Sequence, residues 1–435
     1  MSRVFQAALG LGETAGRFEV EDFAKHVQSN AHPVVERSRR TVIQSRPSHC
    51  SIVESLSSRA LNCLFWTRLI ALFLIGLPTF LRAQSEIKIG EVDPLTGGVS
   101  QFGIGCHQGF VLAFDEINQG GGILGQKLEL VTEDDQSKPG QSSTAVRKLI
   151  AQDKVVAILG DATSSATLEA APIAQSDKIP MITPTATNPR ITEVGDYIFR
   201  VCFLDEFQGR VLAKFVREKL HAGKVVALVD VKQDYSVDLA KFFKDEFSKL
   251  GGTVVAEQSY ATGDADFRAQ LTSIRAAQPD VVFVPGYYQE VALIVKQGRQ
   301  IGLNMPFVGC DGWANQALLE IGGKAVDGCY FTNHFSPDDP SPIVKEFVAK
   351  FREKYGAPPD TFAALGYDAA RLLADAIKRA GSADSKALRD ALAETAGFEG
   401  VTGRISFDAN RNASKPGLIV TVKGGKFEIA ERIAP

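Results

Sequence analysis

The 435-residue chain carries 23% charged residues at a net charge of only −3, so neither nucleic acid nor an anionic membrane surface has an electrostatic claim on it. Its 45% apolar content excludes a disordered chain. The length exceeds one ordinary core, which implies two lobes.

Residues 1–58 form an unassigned extension with no clear period. Arg59 and Arg68 then precede the apolar run 69–77, which is followed by Pro78 and Ala83. A basic segment, a short apolar segment and a small residue read as a Sec signal peptide over 59–83, cleaved near Ala83. The run falls short of the roughly 20 apolar residues that a spanning helix needs. Leu81 is larger than the residue usually found there, which blurs the cleavage site. A leader so far from residue 1 suggests an over-extended start, and the mature chain is expected to begin near Gln84.

From Glu86 onward, apolar strand-like runs alternate with stretches of helical period. Strands are predicted at 87–92, 127–132, 155–159 and 181–183, with helices at 109–117, 141–152 and 167–175. The rhythm then repeats, with strands at 224–229, 253–257, 281–284, 307–309 and 329–332. Helices fall between them at 207–220, 237–250, 267–276 and 290–301. Such alternation predicts parallel sheets covered on both faces, here two doubly wound α/β lobes. Helices at 342–355, 361–380 and 385–396 follow, then a strand at 403–407 and a hairpin of 417–422 with 426–430. Gly424 and Gly425 supply its tight turn. The expected division is 84–204 plus 334–411 for the first lobe and 205–333 plus 412–435 for the second. A three-strand hinge joins them, with crossings near 202–205, 332–335 and 410–413.

Several motifs come close to enzymatic ones. Gly103, Gly105 and Gly109 imitate a dinucleotide fingerprint, but the spacing is G-x-G-x-x-x-G and ten residues separate them from the strand. Gly120 and Gly125 have the P-loop gap, but Gln126 stands where the lysine should be. His107, His221 and His334 are far apart in sequence and are read as surface or packing residues. No metal spacing and no cofactor loop emerges, so no cofactor, no metal and no catalytic residue is expected. Cys106, Cys202, Cys310 and Cys329 read as structural thiols. In a parallel sheet Cys310 and Cys329 sit at opposite edges, beyond the ~7 Å reach of a disulfide.

Ligands of doubly wound folds lie outside the carboxyl ends of the strands, so those edges are where a site belongs. After 155–159 come Thr163, Ser164, Ser165 and Thr167 at a helix start. They read either as an N-cap or as a carboxylate cradle helped by the helix dipole. Thr185 and Thr187 repeat that chemistry at the next edge. On the second lobe, Asp311 follows 307–309 and is either a helix cap or the partner of an ammonium group. Tyr235 and Tyr287 follow two further strands as walls with a polar tip. A cradle on one lobe and an acid on the other would suit a zwitterion across a cleft, since burying one requires both charges to be paired.

At this point the residues resemble a known family. The motifs are Ile87-Lys88-Ile89-Gly90 with Pro94-Leu95-Thr96-Gly97, and Asp115-Glu116-Ile117-Asn118 with Gly120-Gly121-Gly122-Ile123-Leu124-Gly125. Thr183-Pro184-Thr185-Ala186-Thr187 and Gly366-Tyr367-Asp368-Ala369 follow in order. From about Ile87 to the end the chain resembles the leucine/isoleucine/valine-binding proteins of ABC importers, of the type I periplasmic binding fold. The resemblance implies a monomer in the periplasm that hands a small amino acid to a membrane permease. It implies that Ser164 and Thr187 bind the ligand carboxylate by hydroxyl and Thr185 by its backbone. It assigns the ligand amine to Asp311 and the pocket wall to Phe102, Tyr235, Tyr287 and Tyr367. Aspartate is shorter than the glutamate common at the amine position. Ser137 and Thr163 replace a disulfide of some members. The family's receptors for amides, urea and aromatic acids leave the ligand open.

Two other classes compete. A ligand-sensing receptor module shares this fold but would need a further membrane segment or effector domain after the hairpin. A hydrolase or oxidoreductase would need a nucleophile–base pair or an intact cofactor loop.

Overall fold

The computed structural model describes residues 86–434, so the signal peptide and the extension before it lie outside the described residues. The first sheet is wholly parallel, with strands β1 (Glu86–Asp93), β2 (Lys127–Asp134), β3 (Ala157–Gly160), β4 (Met181–Thr183) and β5 (Ile198–Arg200). Its spatial order is β2-β1-β3-β4-β5. The helices between them are α1 (Ser100–Gln119), α2 (Gln141–Lys148), α3 (Ser164–Ser176) and α4 (Arg190–Glu193). The second sheet contains β6 (Lys224–Asp230), β7 (Thr253–Tyr260), β8 (Val281–Phe283), β9 (Phe307–Gly309) and β10 (Tyr330–Asn333). Helices α5 (Asp205–Glu218), α6 (Asp234–Lys249), α7 (Arg268–Ala277), α8 (Tyr288–Gln300) and α9 (Gln316–Gly322) accompany them.

Within the second sheet β7-β6-β8-β9-β10 repeats the order of the first. Both lobes therefore reverse strand order beside their first strand, at β1/β3 and at β6/β8. Such a reversal opens a crevice at the carboxyl edge, where loops diverge to opposite faces of the sheet. Helices α10 (Pro342–Tyr355), α11 (Thr361–Ala380) and α12 (Ser385–Ala393) come next. They bring the chain back to the first lobe, where α11 packs along α1.

A small antiparallel sheet of β11 (Phe398–Gly400), β12 (Gly403–Phe407) and β13 (Ala413–Ser414) stays with that lobe, held by Arg411 to the carbonyls of Thr192 and Ile198. Ala413 and Ser414 close that small sheet by pairing with β12. Strands β14 (Gly417–Lys423) and β15 (Lys426–Ile433) then close the second sheet as an antiparallel hairpin. Gly424 and Gly425 turn it with φ of 58° and 72°, the pair of left-handed residues that a tight two-residue turn demands.

Helix α1 starts nine residues before the predicted 109–117, and the near-fingerprint glycines explain why. A Cβ at Gly103 would collide with the Pro94 carbonyl, and one at Gly109 with the Ala363 carbonyl of α11. These glycines lower helix propensity but let two helices and a loop approach closely. Their role here is close packing. Cys106, Cys202, Cys310 and Cys329, the cysteines among the described residues, are buried and free. Among the described residues no helix is long and apolar enough to cross a membrane.

Candidate functional site

The strand edges of both lobes converge on a small cleft of about 240 Å³, open solvent included, lined by Phe102, Ala162, Ser164, Thr185, Thr187, Tyr235, Tyr287, Asp311, Gly312 and Phe362. Two solvent-open hollows of about 840 Å³ lie elsewhere, one on the outer face of α5, α6 and β15 and one beside residues 334–344. Neither is lined by the loops after β3 and β4 together with those after β8 and β9, as the small cavity is, so the small cavity is the candidate.

Its first-lobe floor is the pair of loops after β3 and β4. Ser164 opens α3, where unpaired amides and the helix dipole favour an anion. Its hydroxyl oxygen accepts the Asn188 N–H at 3.3 Å, which leaves its proton to donate. The Thr185 hydroxyl is already spent on the Ala162 carbonyl at 2.7 Å, so only its backbone is open to a ligand. Thr187 also lines the cavity. The residues weighed as an N-cap divide by task. Thr163 makes no cap bond, and Thr167 binds the carbonyls of Thr163 and Asp161. Ser165 bonds across the cleft to Asp234 at 2.9 Å.

Both loops are pinned from behind. Arg200, fully buried in β5, donates to the carbonyls of Ala186 at 2.9 Å and Asn188 at 2.7 Å. Asp161 accepts the Ser142 hydroxyl at 2.7 Å and the Thr163 N–H at 3.1 Å. Burial, reinforced by neighbouring acids, raises the pKa of Asp161 and Asp93 well above the usual carboxylate range. Holding these acids toward their neutral forms reduces the negative charge behind an anion-binding loop.

The second-lobe wall carries the acid. The Asp311 side chain does not cap the short turn it begins. Its Oδ1 accepts the Tyr235 hydroxyl at 2.8 Å, and its Oδ2 lies 2.9 Å from His334 Nε2. Its backbone N–H donates to Gln208 Oε1 at 3.2 Å, and Gln208 also accepts the Thr332 hydroxyl at 2.6 Å. Burial pushes the Tyr235 hydroxyl well above its ordinary pKa, with the Asp311 charge adding to the effect. Apolar walls complete the cavity. Phe102 stacks on Phe362 at 4.2 Å and meets Tyr287 edge-on at 5.3 Å, while Tyr287 stacks on Tyr235 at 5.2 Å.

Seven of the eight residues singled out from the sequence line this cavity: Ser164, Thr185, Thr187, Asp311, Phe102, Tyr235 and Tyr287. Tyr367 does not. Its hydroxyl donates to Glu116 at 2.8 Å and its ring packs on Phe347 at 4.7 Å, so it holds α1, α10 and α11 together. Phe362 takes its place in the wall. The two lie five residues apart on α11, about 140° around the helix, so only one can face the cavity. His334, read as a packing or surface residue, proves to be buried against the acid.

The lobes also touch directly across the cleft. Asn188 Nδ2 donates to Asp238 at 2.8 Å, and Arg190 reaches Asp234 and, at 3.2 Å, Asp238. Tyr288 donates to the Gly98 carbonyl at 3.3 Å, and Asn315 to Asp360 at 3.2 Å.

Residues 86–426 match the family model described as periplasmic binding protein. A leucine-, isoleucine-, valine-, threonine- and alanine-binding protein of Pseudomonas aeruginosa is 33% identical over 341 residues, which span 78% of this chain and 90% of that protein. A leucine-binding protein of Thermotoga maritima aligns in structure with a TM-score of 0.78 and 40% identity, covering 80% of this chain and 99% of its own. The branched-chain amino acid transporter substrate-binding protein LivJ of Streptococcus pneumoniae, solved in complex with isoleucine, aligns with a TM-score of 0.77 and 38% identity over 81% of this chain and all of its own. With two lobes of like topology and a cavity at their facing strand edges, the chain belongs to the periplasmic binding protein family.

Proposed function

We propose that this protein captures a small α-amino acid, of the branched-chain class, between its lobes and delivers it to the permease of an ABC importer. The observation that carries the reading is one cavity with a hydroxyl cradle on the first lobe and a carboxylate on the second, joined by aromatic walls. Ser164, Thr187 and the Thr185 backbone take the ligand carboxylate, and Asp311 takes the ammonium. Phe102, Tyr235, Tyr287 and Phe362 enclose the side chain. The relatives from P. aeruginosa, T. maritima and S. pneumoniae support that ligand class by name. A ligand bridging both lobes favours the closed arrangement by the difference in its affinity for the two forms.

The protein acts as a monomer in the periplasm, exported by the segment 59–83. N-terminal sequencing of periplasmic protein should begin within a few residues of Gln84, and retention of residues 1–58 would overturn the export route.

The deciding experiment is mass spectrometry of the small molecule released when purified protein is denatured. Leucine, isoleucine or valine is expected. Recovery of an acid without an amine would replace this reading. That alternative draws on the engagement of both Asp311 oxygens by Tyr235 and His334.

A further inference from the structure

We infer that His334 is the positioning residue of the amine half of the site, holding the Asp311 carboxylate in the one orientation that offers a free lone pair of each oxygen to the ligand. This deepens the amino-acid reading above and rests on it.

The imidazole is 1% exposed and approaches Asp311 Oδ2 through Nε2 at 2.9 Å. An ionised carboxylate only accepts, so Nε2 carries the proton and Nδ1 is bare. Nδ1 has no partner among the described residues, so nothing pulls the ring the other way. The ring lies flat on Phe203, centroids 3.5 Å apart and planes 18° from parallel, which prevents it from swinging. The backbone N–H of His334 donates to Asn333 Oδ1 at 2.8 Å, and Asn333 Nδ2 donates to the Phe335 carbonyl at 3.0 Å, so the main chain is fixed as well.

The charged groups facing the ring are Asp311 and Lys415. Burial holds its pKa down to about 4, so at neutral pH it is an uncharged donor that does not compete with a ligand for the acid.

A carboxylate oxygen has two lone pairs. Tyr235 fills one on Oδ1 and His334 one on Oδ2, leaving one on each for an ammonium group with three donors. The terminal torsion of an aspartate is broad and soft, so a single donor does not fix the carboxylate plane. Two donors on opposite oxygens do. His334 also lies directly after β10, where the chain leaves the second lobe, and Phe203 lies where it enters. The acid is thereby tied to both segments that join the lobes.

The test uses L-leucine and 4-methylpentanoate, the same carbon skeleton and carboxylate without the amine, in calorimetry against wild type, His334→Ala and His334→Gln. His334→Ala should weaken leucine at least about tenfold and 4-methylpentanoate less than about threefold, because the lost hydrogen bond serves only the acid. His334→Gln, whose amide can reach the same oxygen, should recover most of the leucine affinity. Equal losses for both probes, unchanged leucine binding in His334→Ala, or no recovery in His334→Gln would overturn the inference.

If wild type binds no leucine, the amino-acid reading fails and a second measurement decides. Nitrogen NMR of the unliganded protein should show one neutral imidazole protonated at Nε2 whose hydrogen-bonded proton signal disappears in Asp311→Ala. A His334 signal indifferent to that substitution would overturn the inference without any ligand.

Discussion

On the first lobe the polar groups facing the cavity are neutral and several: the Ser164 and Thr187 hydroxyls and the backbone around Thr185, backed by a helix N-terminus. On the second, one carboxylate carries the charge, with Tyr235 and His334 converging on its oxygens and Gln208 accepting the Asp311 backbone N–H. The difference follows from what each half binds in the proposed reading. A carboxylate is satisfied by many weak donors, and the amides of a helix start are free for the purpose. An ammonium group buried away from water needs an opposing charge, which the backbone cannot supply. One half is therefore redundant and the other depends on a single group.

That contrast predicts unequal mutational costs, the largest at the acid. Asp311→Ala removes the one acid among the residues that line the cavity, and truncating one partner of a buried charge pair costs about 2–5 kcal/mol. Against roughly 8 kcal/mol for a micromolar complex, amino-acid binding should nearly vanish in calorimetry. The unliganded protein should also melt at a lower temperature, because the buried Tyr235 hydroxyl and His334 Nε2 lose their acceptor. If Asp311→Ala holds the native ligand as wild type does, the concentrated half is not a recognition element and the ligand has no amine.

The concentrated half also carries an acid liability that the hydroxyl cradle lacks. The folded pKa of His334, about 4, lies below the ordinary 6.5, so as pH falls the unfolded chain takes up this proton first. The resulting stability is complete above 6.5 and is lost progressively from there down to about 4. A shift of this size is worth roughly 3 kcal/mol. His334→Gln should remove that part of the acid loss when urea unfolding is compared at neutral pH and near pH 4. Parallel curves for the two proteins would mean that the imidazole is not buried in its neutral form.

What could be read from the sequence divides along similar lines. The alternation of strands and helices marked the lobes, and the rule that sites lie at carboxyl strand edges led to Asp311, Tyr235, Tyr287, Ser164 and Thr187, because each directly follows a strand. Phe362 could not be found that way, since it reaches the cavity from a helix of the returning segment and only the packing of α11 on α1 turns it inward. Choosing Tyr367 instead was an error of helical phase. His334 was illegible for a different reason: its partner lies 23 residues away in the turn after a neighbouring strand, and no local pattern distinguishes it from a packing histidine. Strand β5 escaped because its three residues end in Arg200, a charge that reads as exposed but is buried on two carbonyls. The early start of α1 was masked by glycines that tertiary packing favours and intrinsic propensity does not.

The distributed half should lose less to any one change. Ser164→Ala deletes one hydroxyl from a cradle that keeps Thr187 and its amides, so the expected cost is about 1.5–3 kcal/mol, the range for a bond to a charged group. The loss should be the same for an amino acid and for its deaminated analogue, whereas Asp311→Ala discriminates between them. A Ser164→Ala loss as large as that at Asp311 would break the contrast.

The smallest effect belongs to neither half. Arg190 on the first lobe reaches Asp234 and Asp238 on α6 of the second, about half exposed and clear of the cavity lining. Such surface pairs are worth about 0.2–1 kcal/mol and are screened by salt. If the lobes part when the ligand leaves, these contacts exist only in the closed form, and removing them taxes closure and not recognition. Arg190→Ala should then weaken an amino acid and its deaminated analogue by the same small factor, about twofold to fivefold. The gap from wild type should narrow as salt is raised. Calorimetry with both ligands at two salt concentrations separates the cases. A loss confined to one ligand would place Arg190 within the recognition chemistry. A loss insensitive to salt would mean that the contact acts through the packing of the 186–190 loop, whose carbonyls Arg200 already holds.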